Sequence, residues 1–320
     1  MKKCLITCIV VLSFCAAAAH AQTLEWTSGQ LGGGWYTMTS GLAKFIEESN
    51  PDLKIKVVPG GGTANPTKVD RNKSQFGLGL DSLAFLAKEG KDIYKGKPHE
   101  NLMMIGASLS DTLFHFVKAD RAKYTLEELF TTAEDVRVGV TKAGSSDEKI
   151  FSWLMEYYGT SYKKMKKRGV KINHGNYSEL SSQYKDKLVD YVFMNLGLPG
   201  AAVIDMLISR SGNVHPVPAD AMDALHREYG YNSGTIKAGL YKNQDQAVST
   251  GSMGTVILVN KSVSEDVVYR ITKTICEHEA QLGEVHSSMV AYQCATAVKN
   301  APVPVHPGAL KYYREMGYIQ

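Results

Sequence analysis

The segment LEWTSGQLGGGWYTMTSGLAKFIEES, residues 24–49, decides the fold of this chain. It has the pattern of a short apolar strand, a glycine-rich turn and an amphipathic helix that ends before Asn50 and Pro51. A strand of β-branched residues follows at 54–58, and a second glycine-rich turn follows at 59–62. Strands that alternate with segments of helix length indicate a mainly parallel sheet covered by helices on both faces.

The same alternation continues through the rest of the chain and makes a fresh start after residue 125. Further strands are predicted at residues 76–80, 103–109, 113–117, 136–140, 188–194 and 255–259. We therefore predict two α/β lobes, each a mainly parallel sheet flanked by helices. We expect the chain to cross between them near 117–119 and near 252–255. Residues 22–117 with 254–320 then form lobe one, and residues 118–253 form lobe two.

The N-terminus has the features of an export signal. Lys2 and Lys3 precede an apolar stretch at residues 5–19, and small residues stand before a cleavage point after Ala21. A transmembrane anchor or lipidation at Cys15 are the alternatives. No later apolar run approaches the ~20 residues that a membrane span needs. We expect a periplasmic protein whose mature chain has no membrane span.

Composition excludes several classes of function. With 44% hydrophobic and 21% charged residues in 320, the chain can build a large core. The net charge of +4 is too small for a nucleic-acid-binding surface. No G-x-G-x-x-G, G-K-[ST], G-x-S-x-G or H-E-x-x-H pattern occurs, so we expect no cofactor and no catalytic nucleophile of those types.

Two cysteines, Cys276 and Cys294, remain after the signal is removed. In an oxidising compartment an even pair predicts a disulfide, and two buried free thiols are the alternative. Closing this loop of 18 residues is worth ~3 kcal/mol on the chain-entropy model. Two cysteines without a C-x-x-C pattern do not make a zinc site, and the histidines show no metal spacing, so we predict no metal.

Glycine-rich turns before predicted helices occur three times, at residues 29–34, 60–63 and 143–146. The N-terminus of a helix has free N–H groups and a partial positive charge, and glycines let an anion approach the backbone. One such turn can simply serve a tight connection. Three turns at one sheet edge, spread over both lobes, favour a ligand cleft between the lobes.

The chain resembles the TAXI-type solute-binding proteins of TRAP transporters. Residues 28–36 are similar to the TGGTGGxYY segment of that family, and residues 306–315 are similar to its HPGAxxYYxE segment. Five further segments with family-like motifs lie between them in the family's order: residues 60–65, 80–81, 139–145, 190–199 and 235–241. The sequence departs from the family at Trp35, which replaces a Tyr, and at Gly79, which replaces a Gln.

This resemblance implies a type II periplasmic-binding-protein-like fold with two hinge crossings. It also implies a protein that is not an enzyme, captures a small organic anion and delivers it to a TRAP-type membrane permease. A dicarboxylate such as glutamate or 2-oxoglutarate is the ligand that the family suggests. There are two alternatives. The chain is a periplasmic ligand-binding protein that serves a sensor, or it is an exported α/β enzyme.

The turns and the resemblance together give a set of candidate ligand-binding residues. In the first lobe these are Gln30, Leu31, Gly32, Gly33, Trp35, Tyr36, Gly62, Thr63, Asn65 and Asp81. In the second lobe they are Gly144, Ser145, Ser146, Asn195, Gly197 and Pro199. We expect backbone N–H groups at 32–36 and 144–146 to hold the anion. Trp35 and Tyr36 should line the cleft, and Asp81 either binds a ligand donor or caps a helix.

Overall fold

The computed structural model describes residues 22–31 and 33–320. The predicted export signal at residues 1–21 and the candidate residue Gly32 lie outside the described residues.

The strands begin directly at the first described residue. They are β1 Gln22–Thr27, β2 Leu53–Val58, β3 Phe76–Leu80, β4 Leu102–Gly106, β5 Asp111–Ala119, β6 Arg137–Thr141, β7 Lys171–Gly175, β8 Tyr191–Leu196, β9 Gly212–His215, β10 Asn232–Ile236 and β11 Val248–Asn260.

Helices follow most of the strands. They are α1 Gly34–Ser49, α2 Asn65–Asp70, α3 Asp81–Glu89, α4 Leu126–Thr131, α5 Ser146–Tyr157, α6 Tyr162–Lys167, α7 Tyr177–Lys185, α8 Ala201–Ser209, α9 Ala219–Tyr229, α10 Glu265–Glu277, α11 Leu282–Val285 and α12 Pro307–Glu315.

The strands form a mixed sheet in the order β2-β1-β3-β11-β5-β8-β6-β7, with β4 and β10 also paired to β11 and β9 to β5. The outer strands are parallel: β1 pairs with β2 and β3, and β6 pairs with β7 and β8. Every pairing of β5 and β11 is antiparallel. The two long central strands therefore join two parallel outer portions.

Strand β11 passes from one portion to the other. Residues 255–260 pair with β3 and β4, whereas residues 248–254 pair with β10 and β5. We call β1 to β4 with the first of these segments and helices α1 to α3 and α10 to α12 lobe one. Lobe two consists of β5 to β10, residues 248–254 and helices α4 to α9.

The first crossing differs from the expected position. We expected residues 113–117 in lobe one, with the crossing near Val117–Ala119. Instead, Leu113 to Lys118 pair with β8, and Asp111 to Leu113 pair with residues 252–254. The chain therefore crosses at residues 107–110, between β4 and β5, because every strand segment paired with β5 belongs to lobe two. The second crossing lies between Gly254 and Thr255, inside the predicted range.

Alternating burial explains why the first strand and helix form where they do. Leu24 and Trp26 on β1 are buried, and Leu42 and Ile46 on α1 form the stripe that packs on this sheet. In the same lobe, Cys276 and Cys294 form a disulfide with Cα atoms 5.7 Å apart. It ties the end of α10 to the loop that precedes α12.

Within the described part of the chain, no helix is both long and apolar enough to cross a membrane. The same residues contain no group of three or more His, Cys, Asp or Glu side chains placed to hold a metal ion.

Candidate functional site

A cavity of about 60 Å³ lies between the two lobes, where the N-termini of α1 and α5 approach each other. Lobe one contributes Gly29, Gln30, Gly33, Gly34, Trp35, Met38, Gly60, Gly61 and Gly62. Lobe two contributes Thr112, Ser145, Ser146, Asp147, Tyr177, Asn195, Leu196 and Gly197. Residues from both lobes are therefore needed to complete the cavity.

The N-terminus of α1 presents free backbone donors to this cavity. Its N-cap, Gly33, has no side chain to accept them, and the first turn has no acidic residue. The N–H groups of Gly34 and Trp35 have no acceptor among the described residues, whereas the N–H of Tyr36 donates to the Gly33 carbonyl at 3.0 Å. A helix of 16 residues thus begins at the cavity, and no acidic side chain of its first turn compensates the partial positive charge of its N-terminus.

Helix α5 begins on the facing side. Its N-cap, Ser145, accepts the N–H of Glu148 at 3.1 Å, so this hydroxyl is used by the helix itself. The N–H of Ser146 has no acceptor among residues 22–31 and 33–320, and the same holds for the N–H of Gly62 in the opposite turn. Free donors from both lobes therefore surround one small space.

The two glycine-rich turns touch at the edge of the cavity. A Cβ atom built on Gly61 would lie 2.6 Å from the carbonyl oxygen of Gly144. Gly144 has φ of +96°, a conformation that L side chains rarely adopt, which explains why glycine stands there. The lobes are in a closed arrangement, with backbone against backbone.

Asp147, in the first turn of α5, carries the one charged side chain among the described lining residues. Its carboxylate accepts the N–H of Asn195 at 2.6 Å and the hydroxyl of Tyr177 at 3.1 Å. Burial raises the pKa of Asp147 to about 6, although these hydrogen bonds oppose the shift. The group is therefore mostly ionised at neutral pH, and its charge lies beside the positive end of α5.

Asn195 leaves an acceptor unused. Its side-chain amide donates to the hydroxyl of Thr112 at 2.9 Å, and that hydroxyl donates onward to the Met253 carbonyl at 3.3 Å. The amide oxygen has no partner among the described residues, although the residue is only 4% exposed. Buried acceptors without a donor are rare in folded proteins, so this atom points to a missing partner.

Trp35 forms an apolar wall of the cavity. Its indole N–H donates to Thr255 at 3.1 Å, on the crossing strand β11. The ring also packs against two buried clusters, one within lobe one and one that contains residues of both lobes. Trp35 is therefore part of the core as well as the cavity wall.

The structure brings eight of the sixteen candidate residues to the cavity: Gln30, Gly33, Trp35, Gly62, Ser145, Ser146, Asn195 and Gly197. Seven others do not line it: Leu31, Tyr36, Thr63, Asn65, Asp81, Gly144 and Pro199.

Most of these seven residues have other positions or roles in the fold. Leu31 is 65% exposed, and the Thr63 carbonyl accepts the hydroxyl of Tyr94. Gly144 contributes only its carbonyl, to the contact with Gly61. Pro199 follows a cis peptide bond just before α8 and lies outside the lining.

Asn65 and Asp81 are structural. The amide of Asn65 donates to the carbonyls of Ser28 and Leu78 at 2.7 and 2.8 Å. Asp81 accepts the N–H of Gly254 at 3.0 Å and so ties the start of α3 to the second crossing.

Five side chains that line the cavity were missed: Met38, Thr112, Asp147, Tyr177 and Leu196. Asp147 directly follows the glycine-rich turn at residues 143–146, so its place in the first turn of the predicted helix could have identified it. Tyr177 and Thr112 have no local signature, because α7 and the crossing before β5 bring them to the site.

Comparison with known proteins identifies the family and the fold. A model of the NMT1-like family matches residues 27–317. MatC from Rhodopseudomonas palustris, solved with bound malate, is similar with a TM-score of 0.56 and 12% identity, over 93% of this chain and 99% of that one. PhnD1 from Prochlorococcus marinus, in complex with methylphosphonate, is similar with a TM-score of 0.52 and 9% identity, over 93% of this chain and 100% of that one.

A TRAP periplasmic solute-binding protein from Roseobacter denitrificans, with bound β-D-glucuronate, is also similar. Its TM-score is 0.45 at 9% identity, over 93% of this chain and 94% of that one. Identities this low establish the fold alone. The predicted two-lobed α/β fold of the periplasmic-binding-protein type is confirmed.

Proposed function

We propose, because this chain belongs to the NMT1-like family, that it is a periplasmic solute-binding protein of the TAXI type. In this proposal it binds a small organic anion between its lobes, catalyses no reaction and delivers the anion to a TRAP-type membrane permease. The export signal expected at residues 1–21 is the basis for the periplasmic location.

The observation that carries the proposal is the convergence of free backbone donors on one cavity. The N–H groups of Gly34, Trp35, Ser146 and Gly62 have no acceptor within the described chain. Helix N-termini favour anions through these donors and through the helix dipole. No Arg, Lys or His stands among the described lining residues, so an anion would be held by the backbone.

The structural neighbours support an anionic ligand. MatC is described with malate and PhnD1 with methylphosphonate, and both molecules are small organic anions. Glutamate and 2-oxoglutarate, which the family resemblance suggests, are the first candidates for this chain.

Removal of a single N–H group tests the proposal. Ser146 is the first helical residue of α5, and its N-cap has an extended backbone with φ of −89° and ψ of 158°. Proline fits at this position without breaking the helix, so Ser146→Pro deletes the N–H and keeps α5. Ser146→Ala keeps the N–H and deletes only the hydroxyl.

We expect organic anions from a panel of dicarboxylates, amino acids and sulfonates to raise the melting temperature of the wild type. For the best binder, Ser146→Pro should weaken Kd by about 10- to 100-fold, the value of one hydrogen bond to a charged group, and Ser146→Ala should weaken it much less. Glu265→Pro, at the first helical position of α10, is the matched control outside the cavity. Equal binding by Ser146→Pro and the wild type would contradict the proposal.

A further inference from the structure

We infer that the cavity selects a carboxylate that also carries an ammonium group, namely a small amino acid in its zwitterionic form. The carboxylate of Asp147 and the side-chain oxygen of Asn195 recognise the ammonium. This inference rests on the proposed function and narrows its ligand class.

Asp147 has fewer donors than its carboxylate can accept. The N–H of Asn195 donates to Oδ1 at 2.6 Å. The hydroxyl of Tyr177 has a single hydrogen, which lies within reach of Oδ1, Oδ2 and the Asn195 carbonyl at 3.1, 3.3 and 3.2 Å. The hydroxyl of Ser146 also donates to Oδ2, over a long distance of 3.4 Å. An ionised carboxylate has about four acceptor positions, so Oδ2 can still take a further donor.

Asn195, which also lines the cavity, has a second free acceptor. Its backbone N–H binds Asp147, and its side-chain oxygen is buried without a partner among the described residues. The Asn195 amide nitrogen faces Thr112, whose hydroxyl donates to the Met253 carbonyl, so this chain of bonds fixes the orientation of the amide. An ammonium group has three N–H donors and can satisfy Asp147 and Asn195 together.

Among the described residues, no cationic side chain forms an ion pair with Asp147. Lys149, two residues further along α5, binds Asp92 of lobe one with its Nζ 2.8 Å from the carboxylate. The titratable groups that face Asp147 from other elements are Tyr177 and Tyr231, and burial raises the pKa of both well above 10, so they stay neutral. The negative charge of Asp147 is therefore left for the ligand to balance.

Charge and size then discriminate among anions. A dicarboxylate without an amine would add two negative charges next to Asp147 in a closed cavity. A zwitterion adds no net charge and puts its carboxylate at the free N–H groups and its ammonium at Asp147. The cavity of about 60 Å³ is small for a ligand site, which favours a short ligand.

Two series of acids that differ only at C2 test this inference. Alanine, lactate and pyruvate share one skeleton, and glutamate, 2-hydroxyglutarate and 2-oxoglutarate share another. We expect calorimetric affinity to fall from amino to hydroxy to oxo acid within each series, with at least a tenfold difference between the first and the last. These measurements use the wild-type protein, so they do not depend on the folding of any variant.

Asp147→Asn identifies the recognising group. It should weaken binding of the amino acid by about 30-fold or more. Binding of the matching oxo acid should be unchanged or tighter, because the repulsion between its carboxylate and Asp147 is removed. Asp220→Asn is the matched control, since Asp220 also lies in the first turn of a helix and accepts a Tyr hydroxyl, from Tyr157 at 2.8 Å. It should change neither affinity.

The outcomes separate this inference from the function on which it rests. If an oxo acid binds as tightly as its amino acid, the inference is wrong and the proposed function stands. If no acid of either series binds, and Ser146→Pro is indistinguishable from the wild type throughout the wider panel, both are wrong.

Discussion

Gly61→Ala should weaken ligand binding without weakening the fold. The three atoms nearest to a Cβ on Gly61 all belong to lobe two: the carbonyl oxygen and carbon of Gly144 at 2.6 and 3.4 Å, and Cα of Ser145 at 3.7 Å. Gly61 does not have a positive φ, so alanine can adopt its backbone conformation. The added methyl group therefore conflicts only with the closed arrangement of the lobes.

The size of the effect follows from the overlap. A Cβ–oxygen distance of 2.6 Å is shorter than real Cβ atoms show, and here the neighbour is backbone that cannot rotate away. Forcing an extra methyl group into a packed contact costs roughly 1–3 kcal/mol. If the open state escapes this cost, about 2 kcal/mol corresponds to a loss of affinity of roughly 30-fold.

Gly60→Ala is the matched control, one residue away. The atoms nearest to its Cβ belong to Thr27, Ser28 and Asn65, all in lobe one, so the conflict exists whether the lobes are open or closed. We expect Gly60→Ala to lower the melting temperature of the ligand-free protein and Gly61→Ala to leave it nearly unchanged. Calorimetry with the best organic anion and solution scattering with and without it measure affinity and compaction.

Two results would refute this reasoning. If Gly61→Ala binds and compacts like the wild type, contact between these turns is not part of ligand capture. If it lowers the melting temperature as much as Gly60→Ala, the contact between Gly61 and Gly144 belongs to a permanent interface and not to a closing cleft.

Four further predictions concern stability. Reduction of the bond between Cys276 and Cys294 should lower the free energy of unfolding by about 3 kcal/mol, measured by urea unfolding with and without reductant; a loss below about 1 kcal/mol would contradict the loop-entropy account. Asn65→Ala should cost about 3 kcal/mol, because two buried carbonyls lose their donors, and unchanged unfolding would show that water replaces the amide. Trp35→Ala should cost about 2 kcal/mol in the ligand-free protein as well as weaken binding, because the half-buried ring packs against two buried clusters; a loss of affinity with unchanged stability would show that the ring acts only in ligand binding. Burial raises the pKa of Asp147 from 3.8 to about 6, because the folded protein favours the protonated carboxyl. The contribution of this group to the free energy of unfolding is therefore fully present below about pH 4 and is lost as pH rises through about 6. Relative to Asp147→Asn, the wild type should lose roughly 3 kcal/mol between about pH 4 and pH 7, and parallel pH profiles would contradict the buried charge.

Local patterns in the sequence predicted the elements that bury one regular face. Strand β3 lies at residues 76–80 as expected, and α1 follows the first glycine-rich turn and ends before Asn50 as expected. The pairing of Cys276 with Cys294 was also predicted from the sequence, since only two cysteines lie outside the expected export signal. The strand and the helix are recognised from residues a few positions apart, and the disulfide is recognised from the number of cysteines.

Strand partners could not be predicted in the same way. Residues 113–117 were correctly expected to be a strand, but hydrophobic pattern does not say which sheet a strand joins. The pairing of β5 with β8 moved it into lobe two and shifted the first crossing to residues 107–110. Strands β9 and β10 were not predicted, because β9 is short and β10 carries polar and glycine residues.

The sequence alone determined that two helix N-termini with glycine-rich turns exist, because caps and glycines act on their own neighbours. Only the tertiary structure decided that α1 and α5 face each other, that Asp147 is buried between them and that Asn195 has an acceptor without a donor. It also moved Asn65 and Asp81 from the ligand to the framework, since their hydrogen bonds go to distant backbone groups at Ser28 and Gly254. The physical reason is range: helix formation depends on residues a few positions apart, whereas the charge balance and hydrogen bonding of a cavity depend on which distant segments the fold brings together.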